Sequence, residues 1–125
     1  MTRDEVVIRL WPTAQACTDA RRAVRDFCFT RGLDAVADDA ELLTSELVSN
    51  AVRCSDGMLT VLLVHANDAL AVTVRDSNTQ LPSRSPQMPE PYAEGGRGLA
   101  VLDSLAGDWG ISPGDVGKMI WFRLP

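Results

Sequence analysis

The chain has 125 residues, 46% of them apolar, and a formal net charge of −5, which suits one self-sufficient core and is too short for two ordinary domains. The acidic balance argues against nucleic acid, which calls for a basic face, and against an anionic membrane surface. No apolar run approaches a membrane span, and Met1-Thr2-Arg3-Asp4-Glu5 lacks the apolar stretch of a secretory signal. Cys17, Cys28 and Cys54 are odd in number without C-x-x-C spacing, so they read as reduced, mostly packed thiols of a cytoplasmic protein.

Val6 to Trp11 reads as an opening strand ended by Pro12. Thr13 is the expected N-cap of a helix running to about Arg31 and stopped by Gly32. Ala20, Ala23, Val24, Phe27 and Cys28 form its buried stripe, and Arg21, Arg22 and Arg25 its solvated side. Asp34 is the expected cap of a second helix that ends near Ser55-Asp56-Gly57, with Asp38, Asp39 and Glu41 in its first turns, where the macrodipole favours acids. Two strands follow, Met58 to Ala66 and Ala69 to Asp76, joined by Asn67-Asp68. In the second, Leu70, Val72 and Val74 alternate with Ala71, Thr73 and Arg75, the period of a half-buried hairpin strand. His65, the only histidine, falls in the first of these strands and reads as structural.

From Ser77 to Gly96, Pro82, Pro86, Pro89 and Pro91 rule out regular structure, and a stretch of this length inside a compact domain is usually a functional lid or disordered. A third helix is expected from Gly98 to Leu105, then strands over Asp108–Ser112 and Lys118–Leu124 around the turn Pro113-Gly114-Asp115. The order β-α-α-β-β-lid-α-β-β predicts one α+β domain over residues 1–125, a helical layer on a mostly antiparallel sheet.

Three polar features carry chemistry. Glu46 and Asn50 stand four residues apart on the second helix and share a face, among Leu42, Leu43, Leu47, Val48, Ala51 and Val52. A charge placed there needs a partner, because burying it alone is expensive; a magnesium ion, a phosphate-bound water or a substrate hydroxyl would each serve. The plainer alternative is a surface helix with Glu46 in water and Asn50 near the helix end. Asp76 closes a hairpin strand, and Gly95-Gly96-Arg97-Gly98 precedes a helix. A helix N-terminus presents unpaired N–H groups, and glycines let a phosphate approach them. Either feature alone is weak; their order makes coincidence much less plausible.

With Ser45-Glu46-Leu47-Val48-Ser49-Asn50-Ala51-Val52-Arg53, Asp38-Asp39-Ala40-Glu41-Leu42-Leu43 and Gly117-Lys118-Met119-Ile120-Trp121-Phe122, the chain resembles the GHKL (Bergerat-fold) ATPases. More closely it is similar to the small bacterial anti-sigma-factor serine/threonine kinases. The resemblance implies a two-layer α/β sandwich, its mixed, mostly antiparallel sheet covered on one face by helices, with an ATP lid over residues 77–94. It implies ATP/ADP and Mg2+ as cofactors. By the same resemblance Glu46 is the general base and Asn50 the magnesium ligand. Asp76 accepts the adenine amino group, Gly95, Gly96, Gly98 and Leu99 line the phosphates, and Arg97 and Arg53 contact the nucleotide. The adenine loop departs from the family's Asp-x-Gly-x-Gly: it reads Asp76-Ser77-Asn78-Thr79-Gln80, and Asn78 substitutes in part because Asn tolerates left-handed backbone. Met119 is matched to the position where many relatives place a threonine beside that aspartate.

Two functions follow from the resemblance. One is an ATP- and Mg-dependent kinase that regulates transcription by binding a sigma factor, phosphorylating an anti-anti-sigma antagonist, or both. The other is a binding module that sequesters either protein with little or no nucleotide dependence. Neither needs direct contact with nucleic acid or membrane. Relatives often form a homodimer through the sheet, for which Val6–Trp11 is a candidate edge strand.

Overall fold

The computed structural model describes residues 3–54, 57–76, 105–113 and 117–125. Within them the chain forms β1 (Arg3–Leu10), α1 (Gln15–Thr30), α2 (Asp34–Cys54), β2 (Leu59–Ala66), β3 (Ala69–Arg75), β4 (Asp108–Pro113) and β5 (Lys118–Leu124). The third helix expected over 98–105 and the turn residues 114–115 lie outside the described residues, apart from Leu105. The five strands make one sheet in the order β1-β2-β3-β5-β4. All four pairings among the described residues are antiparallel, in keeping with the mostly antiparallel sheet expected. The class is α+β.

Local sequence explains most of the element ends. Asn67 and Asp68 both adopt positive φ, 54° and 60°, the double left-handed step that a two-residue hairpin needs and that Asn and Asp tolerate. Gly32 has φ 73° and ends α1 while the Leu33 N–H donates to the Cys28 carbonyl at 2.8 Å. The start of α1 differs from expectation: Ala14 is the N-cap and no side chain caps the helix. Thr13 instead donates its N–H to the Trp11 carbonyl at 2.8 Å and accepts the Ala16 N–H at 3.0 Å. The tight link after Pro12 delays the helix by a residue and takes the Thr13 backbone, not its hydroxyl, into the first turn.

Period-two alternation separates the two faces of the sheet. Leu59, Val61 and Leu63 of β2, Leu70, Val72 and Val74 of β3, and Ile120, Phe122 and Leu124 of β5 are buried. They pack in one core cluster with Ala20, Val24 and Phe27 of α1 and with Leu43, Leu47 and Ala51 of α2. Of the stripe expected on α1, only Ala23 is half-buried rather than buried. α1 packs on β1 and β2, and α2 on β3 and β5. Arg31 ties the helical layer to the edge strand: its Nε lies 2.6 Å from Oδ2 of Asp4 and its guanidinium 3.8 Å from the Phe27 ring centre. Arg25 is less free than a solvated face predicts, because it pairs with Glu41 and stacks over Phe29.

The opposite face carries Val7, Leu62, Thr73 and Trp121 in one cross-strand row. The row ends at Gly110, where an added Cβ would fall 2.8 Å from the indole. A hollow of about 980 Å3 opens on this face, lined by Leu62, Val64, Ala71, Thr73 and Arg123 among others. No helix among the described residues is long and apolar enough to cross a membrane.

Candidate nucleotide site

The site is built at one end of the sheet. Leu10 and Leu59 pair there, and the next residues along β3 and β5 are Asp76 and Lys118. The Asp76 N–H donates to the Lys118 carbonyl at 3.1 Å. α2 reaches the same end, since the short step from Cys54 to Leu59 spans at most roughly 18 Å of extended chain. Asn50, one turn from the end of α2, is therefore carried toward Asp76 by the connectivity itself.

On α2 the polar pair divides into a buried and an accessible member. Asn50 is 5% exposed, and its Oδ1 accepts from Nη2 of Arg53. Arg53 is itself exposed and donates from Nη1 to the Ser49 hydroxyl at 3.4 Å. Glu46 is half-buried and, among the described residues, no hydrogen bond or ion pair holds its carboxylate. The surface alternative, with Asn50 in solvent, does not describe this helix.

Cys17 reports the electrostatics beside this pair. Its thiol lies 3.9 Å from the Ser45 carbonyl across the seam between the helices. Burial pushes the thiol up from its ordinary value; Arg21 and Arg53 pull against that and Glu46 adds to it. Glu46 and Arg53 are thus near enough to act on one half-buried thiol between α1 and α2. Cys17 and Cys28 are both free thiols, as expected.

Asp76 is 2% exposed and Lys118 6%. Nζ of Lys118 stands 2.7 Å from Oδ2 of Asp76, and the Lys118 N–H donates to Oδ1 at 3.4 Å. Gly117 makes this approach feasible: it has φ 95°, and a Cβ there would overlap the Asp76 carbonyl oxygen.

The side chain that meets the aspartate is therefore that of Lys118. Met119 pairs with Arg75 in register and its sulfur accepts from Nη2 of Arg75 at 3.6 Å, on the face away from the helices. One step along a strand reverses the side chain. The signal for Lys118 was present in the alternation: positions 118, 120, 122 and 124 share the inward phase, as do 70, 72, 74 and 76. Opposite charges on the inward phase of two strands announce a buried pair. Asn78, Gly95, Gly96, Arg97, Gly98 and Leu99 lie outside the described residues.

The donors suit magnesium in one respect. Mg2+ keeps several waters and takes one or two protein oxygens beside substrate phosphates, and Asn50 offers one buried carboxamide oxygen with a second lone pair left beyond its bond to Arg53. Among the described residues no cluster of three or more His, Cys, Asp or Glu could hold an ion by itself. The base-reading half fits less simply, because Lys118 already sits on Asp76.

Comparison with known proteins agrees with this fold. No curated protein matches the chain in sequence. Among solved structures, the crystal structure of the RsbU and RsbW domains of a Mycobacterium tuberculosis protein superposes with TM-score 0.71 at 22% identity, over 98% of this chain and 33% of that one. The chain thus spans about a third of the length of that protein, and the likeness is one of fold. The description "Histidine kinase-like ATPase domain" matches residues 10–124, and the chain belongs to that family.

Proposed function

We propose that the chain is an ATP- and Mg2+-dependent protein serine/threonine kinase of the anti-sigma-factor kind, binding a sigma factor and phosphorylating a small antagonist protein. The observation that carries this reading is the division of labour on α2. Asn50 is buried, while Glu46, one turn earlier, is half-buried and without a partner among the described residues. Magnesium-ATP supplies the transferable γ-phosphoryl group when bound. Glu46 would act as the general base, taking the proton of the substrate hydroxyl in that transfer. Asn50 would hold the metal through its carboxamide oxygen, which Arg53 positions by donating to it. Gly95, Gly96, Gly98 and Leu99, with Arg97, are assigned to the phosphates, and Asn78 to the base loop.

Glu46→Ala tests the assignment. Transfer from labelled ATP to an antagonist protein should fall about 10²–10⁴-fold with nucleotide binding largely retained, whereas Asn50→Ala should weaken both. Unchanged transfer in Glu46→Ala removes Glu46 as the base.

A second reading, a sequestering module with little nucleotide dependence, is favoured by one specific feature: the ion pair of Lys118 with Asp76. A purified protein that binds its sigma factor equally well with and without Mg-ATP, and transfers no phosphate, would establish it.

A further inference from the structure

Leu42 is 46% exposed, although it stands in the apolar run around Glu46. A lone exposed leucine is ordinary on a protein surface. This one lies four residues before the proposed base, as Glu46 lies four before Asn50. Residues spaced by four form a stripe along a helix that turns by about 40° at each step. The stripe starts at exposed Asp38, passes through Leu42 and half-buried Glu46, and ends on Asn50, which is 5% exposed. It descends from solvent into the core, toward the end assigned to the metal and nucleotide. An acceptor hydroxyl that reaches Glu46 comes from the solvent side of this stripe, where the adjoining turn carries Leu42. We propose that Leu42 is a specificity-determining residue for the protein substrate, an apolar seat for the side chain two residues from the phosphoacceptor in an extended segment. This deepens the kinase reading given above and rests on it.

Spacing selects the position. Side chains one turn apart on a helix are separated by roughly 5–6 Å at Cβ. In an extended segment adjacent side chains point opposite ways, while alternate ones share a side and stand about 6.6–6.8 Å apart. A hydroxyl held at Glu46 therefore brings the second residue from it over Leu42. Charge narrows the class. Asp38 is exposed one turn before Leu42, with Nη1 of Arg25 3.9 Å from its Oδ1, and Glu46 follows one turn after. An acidic side chain at that substrate position would meet like charge on both sides and forgo the contact with Leu42. The seat accordingly takes leucine, isoleucine, methionine or phenylalanine and rejects aspartate and glutamate.

The test is phosphoryl transfer from labelled Mg-ATP to a positional library of serine-centred peptides, by the full chain as wild type, Leu42→Ala and Leu42→Met. Wild type should favour the four apolar residues over alanine by about fivefold or more at one position two residues from the serine, with aspartate disfavoured there. Leu42→Ala should flatten the preference at that position alone. For the best peptide it should raise KM about fivefold with kcat and Mg-ATP affinity little changed, and Leu42→Met should restore the preference. A folded Leu42→Ala protein with unchanged preference overturns the proposal. So does wild type without an apolar preference at either such position, a result that needs no variant to fold. Transfer to no peptide also overturns it, because an extended segment then does not suffice, while the kinase reading stands or falls by transfer to an antagonist protein. Peptide transfer that survives Glu46→Ala removes Glu46 as the base and this inference with it; transfer lost in Glu46→Ala but indifferent to Leu42 removes the inference alone.

Discussion

Thr44 holds the least satisfied polar atom of the described core. Its Oγ1 is fully buried within α2 and finds no hydrogen-bond partner. An unmade bond there leaves the desolvation cost of a hydroxyl uncompensated, whereas an apolar group of nearly the same shape does not carry it. Thr44→Val should stabilise the fold by about 1 kcal/mol, seen as a higher urea midpoint with an unchanged m-value. Cys28 makes a pH-dependent contribution of known sign. Burial is the main cause that raises its thiol from 9.0 to about 11, with Glu41 and Asp34 adding to it. The folded state thus keeps a proton that the unfolded state releases, so stability is intact below pH 9 and declines between about pH 9 and 11. Cys28→Ala should flatten that alkaline slope in a pH series of thermal melts. At this scale the sequence was legible where chemistry and phase agreed. Asn50 fell on an apolar helical face and is buried; the contact of Lys118 with Asp76 was legible only in the strand alternation, which a motif match does not read.

Among the elements, hairpins and helices were readable because each has a local cause. Asn67-Asp68 can close a two-residue turn and does, and Gly32 can take positive φ and ends α1. The start of α1 was not readable, since Thr13 has the right side chain for a cap but its backbone is taken by the turn from Trp11. Nor does sequence order give the placement of β5 between β3 and β4, which is settled by long-range pairing of Val74 with Ile120 and Val72 with Phe122. Gly117 anchors that pairing at its open end. A side chain there meets the Asp76 carbonyl and requires a φ of 95° that L-residues rarely adopt. Gly117→Ala should therefore destabilise the protein by about 2 kcal/mol or more, lowering Tm by roughly 5 °C or more, and the start of β5 should show the first loss of amide protection in hydrogen exchange.

For the whole molecule, the described sheet and the two described helices form one packed core, and the proposed nucleotide site lies at one end of it, so nucleotide binding should register in global stability. A ligand that binds only the folded state adds about 2.7 kcal/mol at 100 times its Kd. Thermal melts with Mg-ATP should rise accordingly, and Asn50→Ala should remove most of the rise. No shift at millimolar nucleotide would favour the sequestering module. One last property follows from the join between β3 and β5. The chain departs at Asp76 and comes back at Lys118, where the two backbones are hydrogen-bonded at 3.1 Å. Loop-closure entropy rises only logarithmically, by about 0.6 kcal/mol for each doubling of length. Evolution can accordingly change the length of the chain between Asp76 and Leu105, ahead of β4, at small cost to the framework, so new recognition can be grafted onto an old architecture.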